Sequence, residues 1–313
     1  MKIQIRRGIC LICLLAVLLP CLNDVGFAAQ TAEGSSYSIA TDSIRYAACL
    51  QAAETIGARQ ILVYDATADE ILFSRSVTGG KLYPASTTKL FSAYVALQYL
   101  PADTVITAGD ELDLLEEGSS IAYITKKHQL TAEMLVEGML LPSGNDAALV
   151  LAAGAGKVIA GDPSLGGVEA VGVFVDEMNR MAKELGFEKS HFTNPHGFHS
   201  GAHYTCVNDM ARIAKLALGN SVICKYMGVY EDDVVYASGH SNHWINTNDL
   251  LDPESEFYYP GTLGMKTGRT SQAGYCLMSA FRQNEHTIVI GVFGYDNGDA
   301  RFRDVIRLLD ACK

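Results

Sequence analysis

Three short motifs in this 313-residue chain supply the side chains needed for nucleophilic catalysis by a serine. They are Ser-Thr-Thr-Lys at 86–89, Ser-Gly-Asn at 143–145 and Lys-Thr-Gly at 266–268. The first motif offers a nucleophile and a base, the second a further hydroxyl and an amide, and the third a cation on a predicted strand edge. Any one motif alone is weak evidence, but the three in this order indicate a single active site.

The first motif provides the nucleophile and its base. Ser86 and Lys89 are three positions apart, so a helix would place both side chains on one face. Serine is a weak nucleophile until a neighbouring base takes its proton. Lys89 is the expected base, provided that burial and a second cation, Lys266, lower the pKa of its amine. A surface Ser–Lys pair is the alternative, but the neighbouring Leu90 and Phe91 favour a buried helix start.

The other two motifs complete the predicted site. The alternative for Ser-Gly-Asn is an ordinary turn with a helix N-cap, and the alternative for Lys-Thr-Gly is a solvated strand end. Ser143 is expected to relay a proton to a leaving amine, and the Asn145 amide to hold a substrate carbonyl. The third motif ends a predicted strand whose edge could pair with an extended peptide. There Gly268 would let a substrate backbone approach, and Thr267 and Arg269 would bind a terminal carboxylate.

The elements predicted around these motifs form an α+β fold, with strands at both ends of the chain and helices in the middle. This order predicts an antiparallel sheet flanked by the first and last helices, with an all-helical lobe inserted at roughly 86–220. The active site would lie in the cleft between sheet and lobe. The predicted helices cover 42–56, 86–100, 131–141, 146–155, 168–185, 209–218 and 300–311, and the predicted strands cover 60–64, 71–74, 262–266, 274–281 and 287–293.

The first residues indicate export. A basic start and an apolar run of about 11 residues at 9–19 precede small residues at 26–29. This pattern predicts a signal peptide over 1–28, followed by a flexible leader over 29–40 and a catalytic domain over 41–313. The expected location is extracellular or in the cell envelope, on the outer face of the cytoplasmic membrane or in the wall.

Two other interpretations of the N-terminus are weaker. An uncleaved membrane anchor would need roughly 20 apolar residues, more than this run contains. A lipoprotein signal would need a small residue before its cysteine, whereas Pro20 precedes Cys21.

The composition excludes several classes of partner and site. With 35 acidic against 24 basic residues, the chain has a net charge of −11 and is a poor candidate for binding nucleic acid or an anionic membrane surface. Three of the eight cysteines lie in the predicted signal peptide and the others are widely spaced, so neither a zinc knuckle nor a redox dithiol is expected. The sequence leaves open whether the remaining cysteines are free thiols or include one disulfide.

Four histidines lie close together in sequence and raise the question of a metal site. Pro195, Gly197 and Gly201 interrupt any helix there, and the stretch contains no acidic residue. We therefore expect neither a metal nor a cofactor. The four are His191, His196, His199 and His203.

The chain resembles the penicillin-binding D-alanyl-D-alanine carboxypeptidases of the low-molecular-mass, serine-acylating type, within the β-lactamase/transpeptidase-like superfamily. The likeness extends over roughly residues 40–312, beyond the three motifs. The segments that carry it are 83–90, 141–148, 192–197, 203–205, 209–210, 246–251 and 264–270.

The resemblance implies a reaction. Ser86 would attack the carbonyl between the last two D-alanines of a peptidoglycan stem pentapeptide, and Lys89 would take its proton. Backbone N–H groups of Ser86 and Arg269 would form the oxyanion hole. Ser143 and Lys266 would assist the departure of D-alanine, and water would then hydrolyse the acyl-enzyme. β-Lactam antibiotics would trap Ser86 covalently. The implied substrate-binding residues are Asn145, Thr267, Gly268, Arg269 and Arg301.

The chain also departs from many members of that family. They continue into a β-rich C-terminal domain and an amphipathic membrane helix, whereas this sequence stops at Lys313. The expectation is therefore neither a C-terminal β domain nor a stable membrane anchor. Some members carry histidine directly after Lys-Thr-Gly; the Arg269 found here is expected to strengthen carboxylate binding.

Two other functions compete with this one. A class A-like β-lactamase needs a Glu-x-x-Leu-Asn string, which does not occur in the sequence. A non-catalytic protein that binds or regulates the cell wall would have no need to keep every motif side chain intact.

Overall fold

A computed structural model describes residues 29–30, 36–39, 47–76 and 79–311 of the chain. The predicted signal peptide over 1–28 lies outside them. The helices are α1 Ala47–Thr55, α2 Thr88–Ala96, α3 Ala132–Leu140, α4 Asn145–Ala160, α5 Gly167–Glu184, α6 Val207–Leu218, α7 Ser221–Met227 and α8 Gly298–Ala311. The strands are β1 Ala29–Gln30, β2 Ser36–Ile39, β3 Gln60–Asp65, β4 Glu70–Ser76, β5 Val105–Thr107, β6 Gln129–Thr131, β7 Glu231–Val235, β8 Ser241–Ile245, β9 Thr262–Thr270, β10 Gly274–Gln283 and β11 His286–Tyr295.

One antiparallel sheet joins the two ends of the described chain. Its strand order is β1-β2-β4-β3-β11-β10-β9, so the early strand β3 pairs with the late strand β11. Val63 lies opposite Ile290 in that pair. The predicted α+β fold, with a sheet assembled from both ends, is confirmed. β9, which carries the Lys-Thr-Gly motif, forms one edge of the sheet.

Helices cover both faces of this sheet. On β3, Ile61 and Val63 belong to a core shared with α1 and α8, whereas Leu62 and Tyr64 belong to a core shared with the helical lobe. This alternation follows from the two-residue period of a strand, which directs successive side chains to opposite faces. The predicted flanking helices and the inserted helical lobe are therefore both present.

The described structure differs from the sequence prediction in three places. Ser36–Ile39, predicted to lie in a flexible leader, forms β2 and pairs with β4, because the edge of β4 offers unsatisfied backbone groups. Two small two-stranded sheets, β5–β6 and the β7–β8 hairpin, are absent from the sequence prediction. The helical lobe also continues past 220, since α7 and the β7–β8 hairpin follow before the chain returns to β9.

The cysteines divide into two kinds. Cys49 on α1 is disulfide-bonded, whereas Cys206, Cys224 and Cys276 are free thiols. Burial raises the pKa of Cys276 to about 11, so this thiol stays protonated near neutral pH.

No helix in the described part of the chain is both long and apolar enough to span a membrane.

The contact between α4 and α5 generates a test of the packing. A Cβ at Gly156 would lie 1.9 Å from the Ala170 backbone oxygen, whereas a Cβ at Gly172 on the exposed side of α5 would meet nothing within 4 Å. We expect Gly156→Ala to lower the free energy of unfolding by about 1–3 kcal/mol through overpacking. Gly172→Ala should raise it by roughly 0.5–1 kcal/mol, because alanine loses less backbone entropy in a helix. Urea unfolding measures both, and equal effects at the two positions would contradict this helix contact.

Candidate active site

Ser86 lies in a tight turn at the start of α2. It is the middle residue of the 3₁₀ turn Ala85–Thr87, and the Thr87 hydroxyl donates a hydrogen bond to the Pro84 carbonyl at 2.7 Å. Ala85 has a φ of +49°, a left-handed conformation that a residue with a Cβ rarely adopts. The turn leaves Ser86 half-buried and lining a cleft.

Lys89 is fully buried one helical turn after Ser86 and connects three parts of the site. Its Nζ donates hydrogen bonds to Ser86 Oγ at 3.0 Å, to Asn145 Oδ1 at 2.7 Å and to the His196 carbonyl at 3.0 Å. These contacts use all three donors of an ammonium group.

Burial also makes the Lys89 amine a plausible proton acceptor. It lowers the pKa of Lys89 to about 7, although the nearby carboxylates of Asp146 and Glu116 act in the opposite direction. A substantial fraction of the amine is therefore neutral near pH 7, as the sequence interpretation of Lys89 requires.

The second motif forms the turn between α3 and α4. Ser143 is buried with a φ of +62°, and within the described chain no hydrogen bond engages its hydroxyl. Asn145 begins α4, and while its Oδ1 accepts from Lys89, its Nδ2 donates to Ser119 Oγ at 3.0 Å. Because a side-chain amide has two N–H donors, the second one remains available for a substrate carbonyl.

The third motif places Lys266 on the edge strand β9. Its Nζ is buried and lies 3.4 Å from the hydroxyl oxygens of Thr247 and Thr267. Burial first, and then the charges of Lys89 and Arg301, hold the pKa of Lys266 well below its usual value. The two amines therefore interact, but it is the pKa of Lys266 that the charge of Lys89 lowers, whereas the low pKa of Lys89 comes from burial.

Gly268 allows β9 to pack against the turn that carries Ser86. A Cβ at this position would lie 3.0 Å from the Ser86 backbone nitrogen and 3.1 Å from the Pro84 oxygen. The sequence interpretation invoked close approach of a substrate; in the structure it is the turn bearing Ser86 that comes close. Any larger side chain would push the strand edge away from Ser86.

A cleft of about 520 Å³ lies between the helical lobe and the sheet, and residues of the first two motifs and the segment just after the third line it. Segment 117–120 lines it from the lobe, segment 269–272 from the sheet, and segment 197–199 from a third side. Ser86 and Asn145 line the same cleft, so the structure brings the nucleophile and the amide to one opening.

The two predicted carboxylate-binding arginines have different surroundings. Arg269 is exposed, lines the cleft and packs its guanidinium 4.8 Å from the Tyr275 ring centre. Arg301 on α8 lies behind the strand edge, with Nη1 at 3.3 Å from the Cys276 carbonyl and 3.5 Å from the Gly268 carbonyl. Arg301 therefore supports the backbone of the third motif, and it is Arg269 that faces the cleft.

One loop wall depends on residues that the sequence analysis missed. Asp146 accepts hydrogen bonds from the backbone nitrogens of Ala122 and Ile124 at 2.8–3.0 Å. The Ala122 carbonyl accepts in turn from Trp244 Nε1 at 3.0 Å and from Tyr236 Oη at 3.1 Å, which ties the loop to the β7–β8 hairpin. This framework holds the loop segment that presents Ser119 to Asn145.

Some signals for these residues were available in the sequence. Asp146 directly follows the Ser-Gly-Asn motif, and Ser119 lies in a small polar Gly-Ser-Ser run. The Thr247 hydroxyl accepts from Lys266 Nζ at 3.4 Å and contacts the Thr267 hydroxyl. Thr247 lies in the Asn-Thr-Asn segment, which the sequence singles out only through its family likeness. No local pattern shows that these loops meet, because the contacts span more than a dozen residues.

Two of the four clustered histidines, His196 and His203, are buried hydrogen-bond partners, whereas His199 lines the cleft and His191 is exposed. His203 Nε2 lies 2.9 Å from Thr88 Oγ1, and its Nδ1 accepts from the Thr193 backbone nitrogen at 3.1 Å. Burial lowers the pKa of His203 to about 3, so its ring is neutral. Among the described residues, no group of three or more histidine, cysteine, aspartate or glutamate side chains could hold a metal ion.

Comparisons with known proteins identify the family. A family model described as D-alanyl-D-alanine carboxypeptidase matches residues 47–297. The D-alanyl-D-alanine carboxypeptidase DacF of Bacillus subtilis is 28% identical over 257 residues, which are 81% of this chain and 61% of that protein. The D-alanyl-D-alanine carboxypeptidase of Streptomyces sp. strain K15 is 30% identical over 234 residues, which are 72% of this chain and 77% of that protein.

Solved structures show the same fold. The Streptomyces K15 DD-transpeptidase matches with a TM-score of 0.71 and 27% identity, covering 82% of this chain and 97% of that one. Penicillin-binding protein D2 of Listeria monocytogenes, in an ampicillin-bound form, matches with a TM-score of 0.65 at 22% identity. The chain spans about three fifths of the length of the B. subtilis relative. Since the family model matches well over half of the sequence, the chain belongs to the D-alanyl-D-alanine carboxypeptidase family.

Proposed function

We propose that this protein is a serine D-Ala-D-Ala carboxypeptidase, which removes the terminal D-alanine from peptidoglycan stem pentapeptides through an acyl-enzyme. The observation that carries the proposal is the 3.0 Å contact between Ser86 Oγ and the buried amine of Lys89. This contact pairs a nucleophile with a base whose pKa, at about 7, suits proton transfer near neutral pH.

Acylation would begin when neutral Lys89 takes the proton from Ser86. Ser86 Oγ then bonds to the carbonyl carbon between the two D-alanines, and the carbonyl oxygen becomes negatively charged. Backbone N–H groups of Ser86 and Arg269 are the proposed donors to that oxygen. The close packing of Gly268 on the Ser86 turn, which brings the two segments together, supports this assignment.

Departure of D-alanine needs a proton on its nitrogen. Ser143 and Lys266 are the proposed path by which the proton that Lys89 took from Ser86 reaches that nitrogen. The Ser143 hydroxyl has no competing hydrogen bond to a described residue, and the pKa of Lys266 is lowered. The amide C–N bond then breaks and leaves the acyl group on Ser86. In the second step, water attacks the ester and Lys89 takes its proton. The acyl C–O bond then breaks, Lys89 returns the proton to Ser86 Oγ, and the shortened peptide leaves.

Substrate orientation would come from the edge of β9 and the cleft wall beside it. An extended peptide can add to an unpaired strand edge through backbone hydrogen bonds. Thr267 and Arg269 are the proposed partners of the terminal carboxylate, and Arg269 lines the cleft. Asn145 would hold a substrate carbonyl with its second N–H, and Arg301 would act from behind through the carbonyl of Gly268.

The proposed reaction has consequences for β-lactam binding and for the location of the protein. A β-lactam ring presents a reactive amide carbonyl near a carboxylate, so it should acylate Ser86 in place of the peptide. Peptidoglycan lies outside the cytoplasmic membrane, so the proposal places the protein in the cell envelope or extracellular space. It calls for no nucleic acid, metal or cofactor, and the acyl transfer uses only the side chains named above.

The nucleophile is tested by mass spectrometry after brief incubation with benzylpenicillin. We expect one penicilloyl adduct on Ser86, no adduct and no D-alanine release for Ser86→Ala, and normal behaviour for the exposed control Ser221→Ala. Adduct formation by folded Ser86→Ala would mean that the nucleophile is misassigned. Rapid loss of the wild-type adduct would instead indicate a β-lactamase.

The pH dependence follows from the protonation state of Lys89. Because the amine must be neutral to accept a proton, the acylation rate constant should fall about tenfold per pH unit below the pKa of about 7 and level off above it. Rates of reaction with a fluorescent penicillin, measured between about pH 5 and pH 9, give this profile. A rate independent of pH across neutrality would argue against Lys89 as the base.

Lys266 should matter more for acylation than for folding. Lys266→Met removes the charge but keeps much of the volume, so we expect an acylation rate reduced by about 10²-fold or more. The free energy of unfolding should change little, since losing a buried amine also removes its desolvation cost. Urea unfolding alongside acylation kinetics separates the two effects, with the exposed Lys183→Met as the matched control. A variant that fails to fold would undercut this role.

A further inference from the structure

Glu116 has a buried carboxylate oxygen beside the active site that no catalytic step above uses. Its Oε2 is inaccessible to solvent and makes no hydrogen bond to any described residue, although the side chain as a whole is 37% exposed. This oxygen lies 3.6 Å from Nε2 of the buried His196. The next residue, Glu117, is exposed and lines the cleft, so the two adjacent glutamates occupy different environments.

The hydrogen bonds of His196 show which of its two ring nitrogens carries the proton. The Phe198 backbone nitrogen donates to His196 Nδ1 at 3.2 Å, so Nδ1 must carry a lone pair. Burial holds the pKa of His196 well below its usual value, so the ring is neutral and has a single N–H. That N–H is therefore on Nε2, the ring nitrogen that lies 3.6 Å from Glu116 Oε2, a contact longer than a hydrogen bond.

The backbone of His196 connects this contact to the nucleophile. Its carbonyl accepts a hydrogen bond from Lys89 Nζ at 3.0 Å, and Lys89 in turn donates to Ser86 Oγ at 3.0 Å. A displaced His196 would thus misplace one of the three acceptors that hold the Lys89 amine. Glu116 also acts through space, since its negative charge favours the protonated form of Lys89.

We propose that Glu116 is a positioning residue for the Ser86–Lys89 pair: its buried carboxylate oxygen packs against the His196 ring, and the His196 carbonyl accepts from Lys89. The proposal rests on the proposed function in so far as Lys89 is the base. Glu116 acts through His196 and Lys89 and makes no contact with the Ser86 hydroxyl.

Other ionisable groups near Lys89 also influence its protonation, and the effect of Glu116 adds to theirs. Asp146 on α4 also favours its protonated form, and the charge of Lys89 in turn lowers the pKa of Lys266 on β9. His196 is neutral, as is His203 behind it. The Asp146 carboxylate is held by three backbone N–H groups, whereas Glu116 Oε2 has only the long contact with His196. Glu116 is therefore the carboxylate whose removal disturbs the fewest other contacts.

The first experiment measures the pKa of Lys89 directly in the free protein, by NMR of ¹³C-labelled lysine. We expect Glu116→Gln, which keeps the shape and removes the charge, to lower the pKa of Lys89 by roughly half a unit or more. The acid limb of benzylpenicillin acylation should move to lower pH by the same amount. Glu117→Gln is the matched control, and solvent screening of its exposed carboxylate should leave the Lys89 pKa unchanged. An unchanged Lys89 pKa in folded Glu116→Gln, or equal shifts in both variants, would overturn the proposal.

A second pair of measurements tests the structural half of the proposal. ¹⁵N NMR of His196 should show the proton on Nε2 in the wild-type protein, and a proton on Nδ1 would overturn the assignment. Glu116→Asp keeps the charge but shortens the reach, so the Lys89 pKa should stay near the wild-type value while the plateau acylation rate falls several-fold. A wild-type rate in that variant would show that the contact with His196 has no role. Because the NMR readouts need no turnover, failure of the proposed activity is distinguishable from failure of this inference.

Discussion

The burial of the Lys89 amine is the constraint on which the rest of the site depends. A solvated lysine would stay protonated near neutral pH and could not activate Ser86. A buried one without partners would be costly, so the fold must supply three acceptors in a dry position. They come from the turn before α2, from the start of α4 and from the loop that carries His196. The Lys89 amine is therefore held in place only when the helical lobe is packed on the sheet.

The backbone at each motif is held in an unfavourable conformation. Ala85, Ser143 and Met265 all have positive φ values, of +49°, +62° and +126°. Each such residue costs about 1–3 kcal/mol and persists only where the surroundings fix it. Here the surroundings are two large cores, one on each face of the sheet. The strain lets a tight turn, a helix start and a strand edge converge on one cleft.

Residues that never touch a substrate account for much of the organisation. The Ala122 carbonyl accepts hydrogen bonds from two side chains of the β7–β8 hairpin, and the Asp146 carboxylate on α4 accepts one from the Ala122 backbone nitrogen. Both contacts hold the loop that contains Ala122. That loop carries Ser119 toward Asn145 and Glu116 toward His196. The hairpin, which has mostly exposed residues and no clear alternation, thus supports the wall of the cleft opposite β9.

The sequence by itself determined the reactive groups and most of the elements that carry them. The spacing of Ser86 and Lys89 is a local property of a helix, and strands such as β10 and β11 follow from their apolar runs. The tertiary structure alone decided that β2 joins the sheet, that Gly268 packs on the Ser86 turn, that Arg301 lies behind β9, and that Glu116 faces His196. These features depend on contacts between segments far apart in the chain. Local periodicity contains no information about such contacts, because they are selected by burial and hydrogen bonding in the assembled core.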